Sequence, residues 1–317
     1  GTITIYKVVN KVWLYQNRLT SSDGEINDYF GYSVSISGNY IIVGAYGNDD
    51  VSTNSGSAYI FYNNNSVWSE QQKLVPSISN GLDLFGKAVS ISGDYAIVGS
   101  PGYTESGTNS GAAYIFKRVG NTWSEQQTIK HEVSQVTFDF YTSTELNSEG
   151  DGSVTVQFYI DGVWTSATAF YSSFVQGQTY SVTYSVSKWP TKIKLNYNST
   201  DGIGYWKILL NSQVIVEHPS GQSNSYWLDS PNVASIEYNV PDTGKADDYF
   251  GYSVGISGDY AVVGSYGVNE NGNESGSVFV FKRTNETWGQ QQKILSSDIT
   301  ASDYFGYSVA IDGNYIV

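Results

Sequence analysis

The stretch GYSVG at residues 251–255 matches the pattern G-x-S-x-G, in which a serine on a sharp strand-to-helix turn is the nucleophile of a hydrolase. The same position reads GYSVS at 31–35, GKAVS at 86–90 and GYSVA at 306–310. A nucleophile is needed once, whereas this slot recurs, and no helical pattern follows it. We therefore interpret the serine as a structural residue.

Other catalytic groups are scarce. The chain has two histidines, His131 and His218, too few for a histidine cluster that binds a catalytic zinc. Two histidines also permit a Ser-His-Asp triad, but no sequence pattern supports one. Cysteine is absent, so disulfides, thiolate metal sites and a cysteine nucleophile are excluded. We predict no catalytic residue.

Acidic residues occur close together at Asp49-Asp50, Asp247-Asp248 and Glu149 with Asp151. Calcium takes six to eight oxygen ligands, usually from acidic or amide side chains at alternating positions. None of these loops alternates in that way. Solvated turns are the favoured interpretation, and a Ca²⁺ site at Asn48, Asp49 and Asp50 is the alternative; no other cofactor or metal is predicted.

N-x-[ST] sequons mark four candidate glycosylation sites. Their positions are more informative than their number, because a chain rich in Asn, Ser and Thr contains such triplets by chance. Three of them fall in polar turns and are expected to be exposed. The candidates are Asn64, Asn198, Asn273 and Asn285.

Composition limits the partners and the location. A net charge of −14 and a pI near 4.4 disfavour binding to nucleic acid or to anionic membranes. No apolar run is long enough to span a bilayer, so we predict no membrane insertion. The absence of the oxidisable residues Cys and Met suits an extracellular or cell-surface protein. The opening GTITIYK lacks a signal-peptide pattern, and we expect a mature product or a fragment.

Two markers repeat with one period. The stretch DYFGYSV at 28–34 returns at 248–254 and 303–309, and DLFGKAV at 83–89 is a looser copy. The phenylalanines of these stretches are 55, 165 and 55 residues apart, and 165 is three periods of 55. Tryptophans keep the same period. They are Trp13, Trp68, Trp123 and Trp288.

Each repeat contains four strand-like segments. In the first copy these segments are 30–38, 40–46, 57–62 and 67–75, separated by Gly, Asn and Ser. Four-stranded units with a period of about 50 residues are typical of β-propeller blades, which bury their faces by stacking on neighbours. The aromatic and Phe-Gly positions are accordingly predicted to serve packing.

The repeats resemble FG-GAP repeats, the propeller blades of integrin α-subunit heads and of many bacterial surface proteins. The resemblance covers about two thirds of the chain and implies adhesion or a structural role outside the cell. It rests on Phe30-Gly31 with Gly44-Ala45, Phe85-Gly86 with Gly99-Ser100-Pro101, Phe250-Gly251 with Gly264-Ser265, and Phe305-Gly306.

The long gap contains an insertion, which we place at residues 132–241. Seven or eight alternating segments predict an antiparallel β-sandwich. Its order resembles PLAT-type sandwiches, although the usual Thr-Gly-Asp opening is missing; immunoglobulin-like and carbohydrate-binding sandwiches stay open. The predicted domains are propeller blades at 1–131, the sandwich at 132–241 and further blades at 242–317.

Residues 1–19 align without gaps on the last two strands of a blade, and residues 303–317 supply only the first two. Closure in cis would give a four-bladed propeller, and closure in trans would link copies through residues 1–20 and 303–317 into a filament. We favour the trans form. The predicted fold class is therefore all-β: a four-bladed or trans-completed β-propeller of 55-residue FG-GAP-like repeats with an inserted β-sandwich.

Three functions compete. The favoured one is a non-catalytic extracellular structural or adhesive protein that self-associates, and hence not an enzyme. The alternative is an adhesin module that binds carbohydrate or protein. A polysaccharide-active enzyme is least favoured, because no convergent group of acid and base residues is visible.

Overall fold

The computed structural model describes residues 1–104, 108–131, 135–142, 153–160, 163–166, 168–171, 179–185, 192–198, 206–210, 213–217, 234–239, 247–269, 273–298 and 300–317. Every regular element among them is a β-strand, as the sequence predicted, and they contain no helix able to cross a membrane. The chain divides into two compact units. One is Gly1–His131 with Lys245–Val317, and the other is Glu132–Gly244.

The first unit contains three complete four-stranded antiparallel sheets and two separate hairpins. The N-terminal hairpin is β1 (Ile3–Val9) and β2 (Val12–Leu19). The first blade is β3 (Ser33–Ser37), β4 (Tyr40–Ala45), β5 (Ser57–Asn64) and β6 (Val67–Leu74). The second blade is β7 (Ala88–Ser92), β8 (Tyr95–Ser100), β9 (Ala112–Val119) and β10 (Thr122–Ile129).

The described residues of the second unit form nine strands, which are β11 (Gln135–Thr142), β12 (Ser153–Ile160), β13 (Val163–Trp164), β14 (Thr168–Tyr171), β15 (Thr179–Ser185), β16 (Lys192–Asn198), β17 (Trp206–Leu210), β18 (Gln213–Glu217) and β19 (Ala234–Asn239). They form two antiparallel sheets, ordered β15-β11-β17-β18 and β13-β12-β16-β19, and β14 pairs with β12. Val156, Phe158 and Ile193 are buried. The resemblance to PLAT sandwiches stays a prediction.

The first unit resumes with the third blade, β20 (Ser253–Ser257), β21 (Tyr260–Ser265), β22 (Ser277–Thr284) and β23 (Thr287–Ile294). The C-terminal hairpin follows as β24 (Ile311–Asp312) and β25 (Tyr315–Ile316). Strands run in chain order across each blade, because every connection within a blade is a hairpin. Among the two-residue turns, Asn65 (48°) and Ser66 (71°) both have positive φ, whereas Gly38 (57°) is the only positive-φ residue of its turn with Asn39; both forms match the twist of the strands.

Blades meet through their glycines. Gly86 has φ +89°, and a β-carbon there would lie 2.3 Å from the carbonyl oxygen of Ser57. A β-carbon on Gly44 would lie 2.0 Å from the carbonyl oxygen of Gly86. The Phe-Gly and Gly-Ala elements therefore allow close backbone approach between neighbouring blades, as the predicted packing role requires. The bridge Gly56↔Phe85 recurs at the next two contacts.

Apolar cores fill the spaces between blades. Between the first and second blades, Ile42, Ile60 and Leu74 pack with Phe85 and Trp123. An equivalent cluster joins the second blade to the third. The periodic tryptophans of complete blades are thus buried core residues, as predicted.

Candidate functional site

Equivalent side chains from four repeats converge where the first strands of the blades begin. The residue after each Phe-Gly pair is Tyr32, Lys87, Tyr252 or Tyr307. The Nζ atom of Lys87 lies 4.3 Å from the centre of the Tyr32 ring and 5.7 Å from that of Tyr252. The Tyr252 hydroxyl donates to that of Tyr307 at 2.9 Å. These residues therefore form one continuous group.

Further tyrosines extend this group. In the first blade the rings of Tyr29 and Tyr46 stack at 4.9 Å with planes 1° apart, and Tyr32 meets Tyr46 edge-on at 4.7 Å. The third blade repeats this arrangement, with its stacked pair at 4.9 Å and 6°. Lys87 of the second blade also lies 4.3 Å from the Tyr46 ring. The tyrosine face comprises Tyr29, Tyr32, Tyr46, Lys87, Tyr249, Tyr252, Tyr266, Tyr304 and Tyr307.

The phenols of Tyr252 and Tyr266 in this face have raised pKa values. Burial, assisted by Tyr249 and Tyr307, raises the pKa of Tyr266 to about 12. Burial and the hydrogen bond with Tyr307 also raise the pKa of Tyr252. Such side chains are poor general bases at neutral pH, but they offer ring faces and hydroxyl groups for stacking and hydrogen bonding. Tyr29, Tyr32 and Tyr307 are exposed, so a ligand can reach the face.

The side chains of the loop at Asn48, Asp49 and Asp50, the alternative calcium site, form hydrogen bonds and an ion pair within the chain. Asn48 is buried, and its Oδ1 atom accepts hydrogen bonds from Ser57 Oγ at 2.9 Å and Lys73 Nζ at 3.3 Å. Asp50 is paired with Lys73, and Asp49 accepts from the Asn54 main-chain nitrogen at 2.5 Å. Burial alone would lower the pKa of Lys73, but hydrogen bonds to carboxylates raise it overall, so a positive charge lies where a cation would bind. Across the described ranges, no three acidic or histidine side chains gather into a possible metal site.

An aspartate stands two residues before each Phe-Gly pair, a recurrence that the sequence interpretation did not use; it is buried in the three complete blades, as Asp28, Asp83 and Asp248, and exposed at Asp303. Asp28, Asp83 and Asp303 each accept a hydrogen bond from the main-chain nitrogen three residues earlier, at 2.6–2.8 Å. Burial raises the pKa of Asp83. In the third blade, Asp248 lies 2.8 Å from Nδ1 of His131. These aspartates fix the turn that precedes the first strand, and their recurrence in all four copies was a usable signal.

The two outer ends of the blade stack are open. Val34 on β3 is 55% exposed, whereas its equivalent Val89 on β7 is 7% exposed because the first blade covers it. Trp13 of the N-terminal hairpin is 69% exposed, compared with 2% for Trp123 and for Trp288. In the described residues the N-terminal and C-terminal hairpins belong to separate two-stranded sheets.

The FG-GAP repeat model matches the chain at residues 13–61, 68–116, 240–281 and 288–317, more than half of its length. The chain belongs to the FG-GAP repeat family. FG-GAP repeats form β-propeller blades that are often involved in adhesion or protein binding, are typical of extracellular or cell-surface proteins, and are typically non-catalytic. No curated protein matched the chain.

The FG-GAP repeat and the blade are out of phase. The match at 68–116 covers β6 to β9, which is the last strand of one blade and the first three of the next. Consecutive FG-GAP repeats therefore share a blade and hold it together. The second match begins with β6, so the third would be expected to begin with the equivalent strand, β10. It begins at residue 240 because the insertion separates β10 from the strands that follow it in the repeat.

The serine of the hydrolase-like stretch and three of the four candidate glycosylation sites lie in the described part of the FG-GAP unit. Ser253 of the GYSVG stretch donates its hydroxyl to the carbonyl oxygen of Gly306 at 2.8 Å, so it fastens the third blade to the C-terminal hairpin. Asn64, Asn273 and Asn285 are exposed in turns or at strand ends, where glycans would be accessible. The side chains of Asn198, His218, Glu149 and Asp151 lie outside the described residues.

Proposed function

We propose that this chain is a non-catalytic structural or adhesive protein of the cell exterior, whose copies join end to end through the N-terminal and C-terminal hairpins. Its FG-GAP blades, its acidity and its lack of cysteine and methionine support an extracellular role. The catalytic possibility is disfavoured because several carboxylates are engaged in structural bonds, as Asp28 and Asp83 with main-chain nitrogens and Asp94 with Arg118.

The observation that carries the proposal is the pair of open apolar ends. Exposed strand edges and apolar faces promote pairing with another chain, and natural proteins usually cover them. Here one end presents Trp13 and Val34, and the other presents the C-terminal hairpin with Tyr315 and Val317. In the second blade the strands equivalent to the two hairpins pair in one sheet, as β8 with β9, and the equivalents of Val317 and Val34, which are Ile42 and Val89, share the core between the first and second blades, so the two ends complement each other.

Light scattering coupled to size-exclusion chromatography, followed by electron microscopy, tests this function. The mass should rise with concentration, and filaments should be visible. Deletion of residues 1–20 should leave monomers. A monodisperse wild-type monomer at the highest concentration reached would end the end-to-end proposal, and release of oligosaccharides from soluble polysaccharides would end the non-catalytic one.

A second function, carbohydrate or protein binding, is favoured by the tyrosine face. Exposed rings beside hydroxyl groups are suited to stacking on the apolar faces of sugar rings. A glycan array with the wild type and with Tyr32→Ala and Tyr307→Ala tests it. Binding should fall in both variants and persist in Val119→Ala, which changes an exposed side chain elsewhere. Glycan binding that survives both tyrosine substitutions would place the site outside this face.

A further inference from the structure

Two tryptophan sites within the chain show how one blade captures the next. The main-chain nitrogen of Trp123 donates to Oε1 of Gln72 at 2.8 Å, and Nε2 of Gln72 donates to the carbonyl oxygen of Trp123 at 2.7 Å. The indole Nε1 donates to Oε1 of Gln71 at 3.3 Å. The indole also meets the ring of Tyr40 edge-on at 5.7 Å. A tyrosine and two glutamines of one blade thus hold the tryptophan of its neighbour.

The contact between the second and third blades repeats the main-chain bonds and the tyrosine contact of this site, but there Gln126 donates to the carbonyl oxygen of Glu286 and the indole Nε1 of Trp288 has no hydrogen-bond partner among the described residues. Trp288 exchanges the same pair of main-chain hydrogen bonds with Gln127, at 2.9 and 2.8 Å. Its indole meets the ring of Tyr95 at 5.8 Å. Because Gln72 and Gln127 hold the same position in their blades, the tryptophan site is a built, recurring feature of this chain.

The third blade has the same site without an occupant in one copy of the chain. Tyr260, Gln291 and Gln292 stand at the positions of Tyr95, Gln126 and Gln127, and here both glutamines are exposed. With apolar side chains they line an open groove of about 230 Å³ beside the C-terminal hairpin. The apolar lining is Val280, Ile294, Ile311 and Ile316.

The N-terminal hairpin carries the matching side chains. Trp13 stands in the repeat at the position of Trp123 and Trp288, and Tyr6 at that of the buried Phe116 and Phe281. Both Trp13 and Tyr6 are exposed. At the two contacts within the chain, Arg118 and Arg283 lie over the tyrosine of the site. Val8 stands at their position in the N-terminal hairpin, so capture of Trp13 would rely on the glutamines and the tyrosine.

Strand register also fits. In the second and third blades the first residue of the second strand faces a lysine of the third strand, as Tyr95↔Lys117 and Tyr260↔Lys282. The same alignment places Lys7 of β1 opposite Tyr315 of β25. Addition of β1 to β25 would then continue the sheet of the C-terminal hairpin and lay Trp13 in the groove.

We propose, on the basis of the proposed end-to-end function, that the groove of the third blade binds Trp13 of a second copy of this chain. Within one copy the N-terminal hairpin is already packed on its own first blade, where Ile5 and Leu19 join the core around Phe30 and Tyr59. The C-terminal hairpin is packed on the third blade. In the described residues of one copy these two hairpins form separate sheets and do not pair with each other. The exposed Trp13 of one copy would therefore enter the open groove of another, in a head-to-tail contact.

The test is a disulfide between the aligned positions in the full chain, Lys7→Cys with Tyr315→Cys. The native chain has no cysteine, so only the introduced thiols react. Mild oxidation should give a ladder of dimers, trimers and larger species that collapses on reduction. The control pair Lys7→Cys with Val119→Cys should not give this ladder. A cross-linked monomer would mean that the hairpin fills its own groove, and no disulfide would mean that the groove takes no hairpin; either result overturns the proposal.

Alanine variants test the tryptophan site independently of whether the chain self-associates. Gln292→Ala should weaken association about tenfold, since two hydrogen bonds are worth about 1.4 kcal/mol or more together. Trp13→Ala should weaken it by about a hundredfold or more, as for buried tryptophans at interfaces. Val119→Ala should have no effect. If the wild type assembles and both variants assemble equally well, the tryptophan site is wrong while the end-to-end function stands; a monomeric wild type overturns both.

Discussion

Replacing Trp123 by alanine should destabilise the propeller unit far more than the same change at Trp13. A tryptophan side chain buries roughly 200 Å², which at about 25 cal/mol per Å² corresponds to about 5 kcal/mol at most. Trp123 is 2% exposed and also donates its indole proton to Gln71. The two main-chain bonds with Gln72 survive in the variant, because they use no side-chain atom of residue 123. We therefore expect a loss of about 3–5 kcal/mol.

Trp13→Ala is the matched control. The side chain is 69% exposed in one copy, so the variant should lose less than about 1 kcal/mol at concentrations where the wild type is monomeric. Guanidinium unfolding gives the free energies, and hydrogen–deuterium exchange of peptides from the blades separates the propeller unit from the inserted unit. Equal midpoints for Trp123→Ala and Trp13→Ala would refute the assignment of the tryptophan sites.

Three further perturbations test other parts of the structure. Gly86→Ala should lower the free energy of unfolding by at least about 2 kcal/mol more than Gly93→Ala. Both glycines have positive φ, but only at Gly86 would a β-carbon lie against a neighbouring blade. Thermal unfolding compares the two variants, and equal losses of stability would contradict the glycine contact. Deletion of residues 132–241 should leave a folded propeller unit by circular dichroism and limited proteolysis, and a disordered product would show that the insertion is needed for folding. Burial alone would raise the pKa of Asp23, but hydrogen bonds, first that from Lys73, lower it in the folded state. Asp23→Asn should therefore cost up to about 1 kcal/mol at neutral pH, a difference that disappears as the pH falls through the lowered pKa; a difference that grows at low pH would contradict this ion pair.

The blades could be predicted from the sequence because their signals are local. The segments 57–62 and 67–75 were expected as strands, and the structure places β5 at Ser57–Asn64 and β6 at Val67–Leu74. Alternating apolar residues and turns of Asn and Gly determine such hairpins within a few residues of chain. The fixed spacing of Phe and Trp then identified the blades as copies of one unit.

The sequence could not predict which equivalent side chains are exposed, or which side chains from different blades meet. Val34 and Val89 occupy the same position of the repeat, yet only Val89 is covered, because burial depends on a neighbouring sheet and not on the residue type. Within the tyrosine face, Tyr32, Lys87 and Tyr252 are far apart in the chain and meet only through the stacking of blades. The calcium alternative at Asp50 depended equally on a distant residue, Lys73, which pairs with that carboxylate.

The insertion between β10 and β20 changes the mechanics of one blade contact. The second and third blades touch directly, through Gly111↔Phe250 and through Gln127 with Trp288, while the covalent path between them runs through the whole inserted unit. A pulling force that separated these two blades would next stretch the inserted unit, whose chain reaches on the order of 350 Å when extended. The first and second blades are joined by a short loop and have no such slack. In a row of linked copies, each molecule would thus contain one extensible joint that keeps separated blades within reach for rebinding.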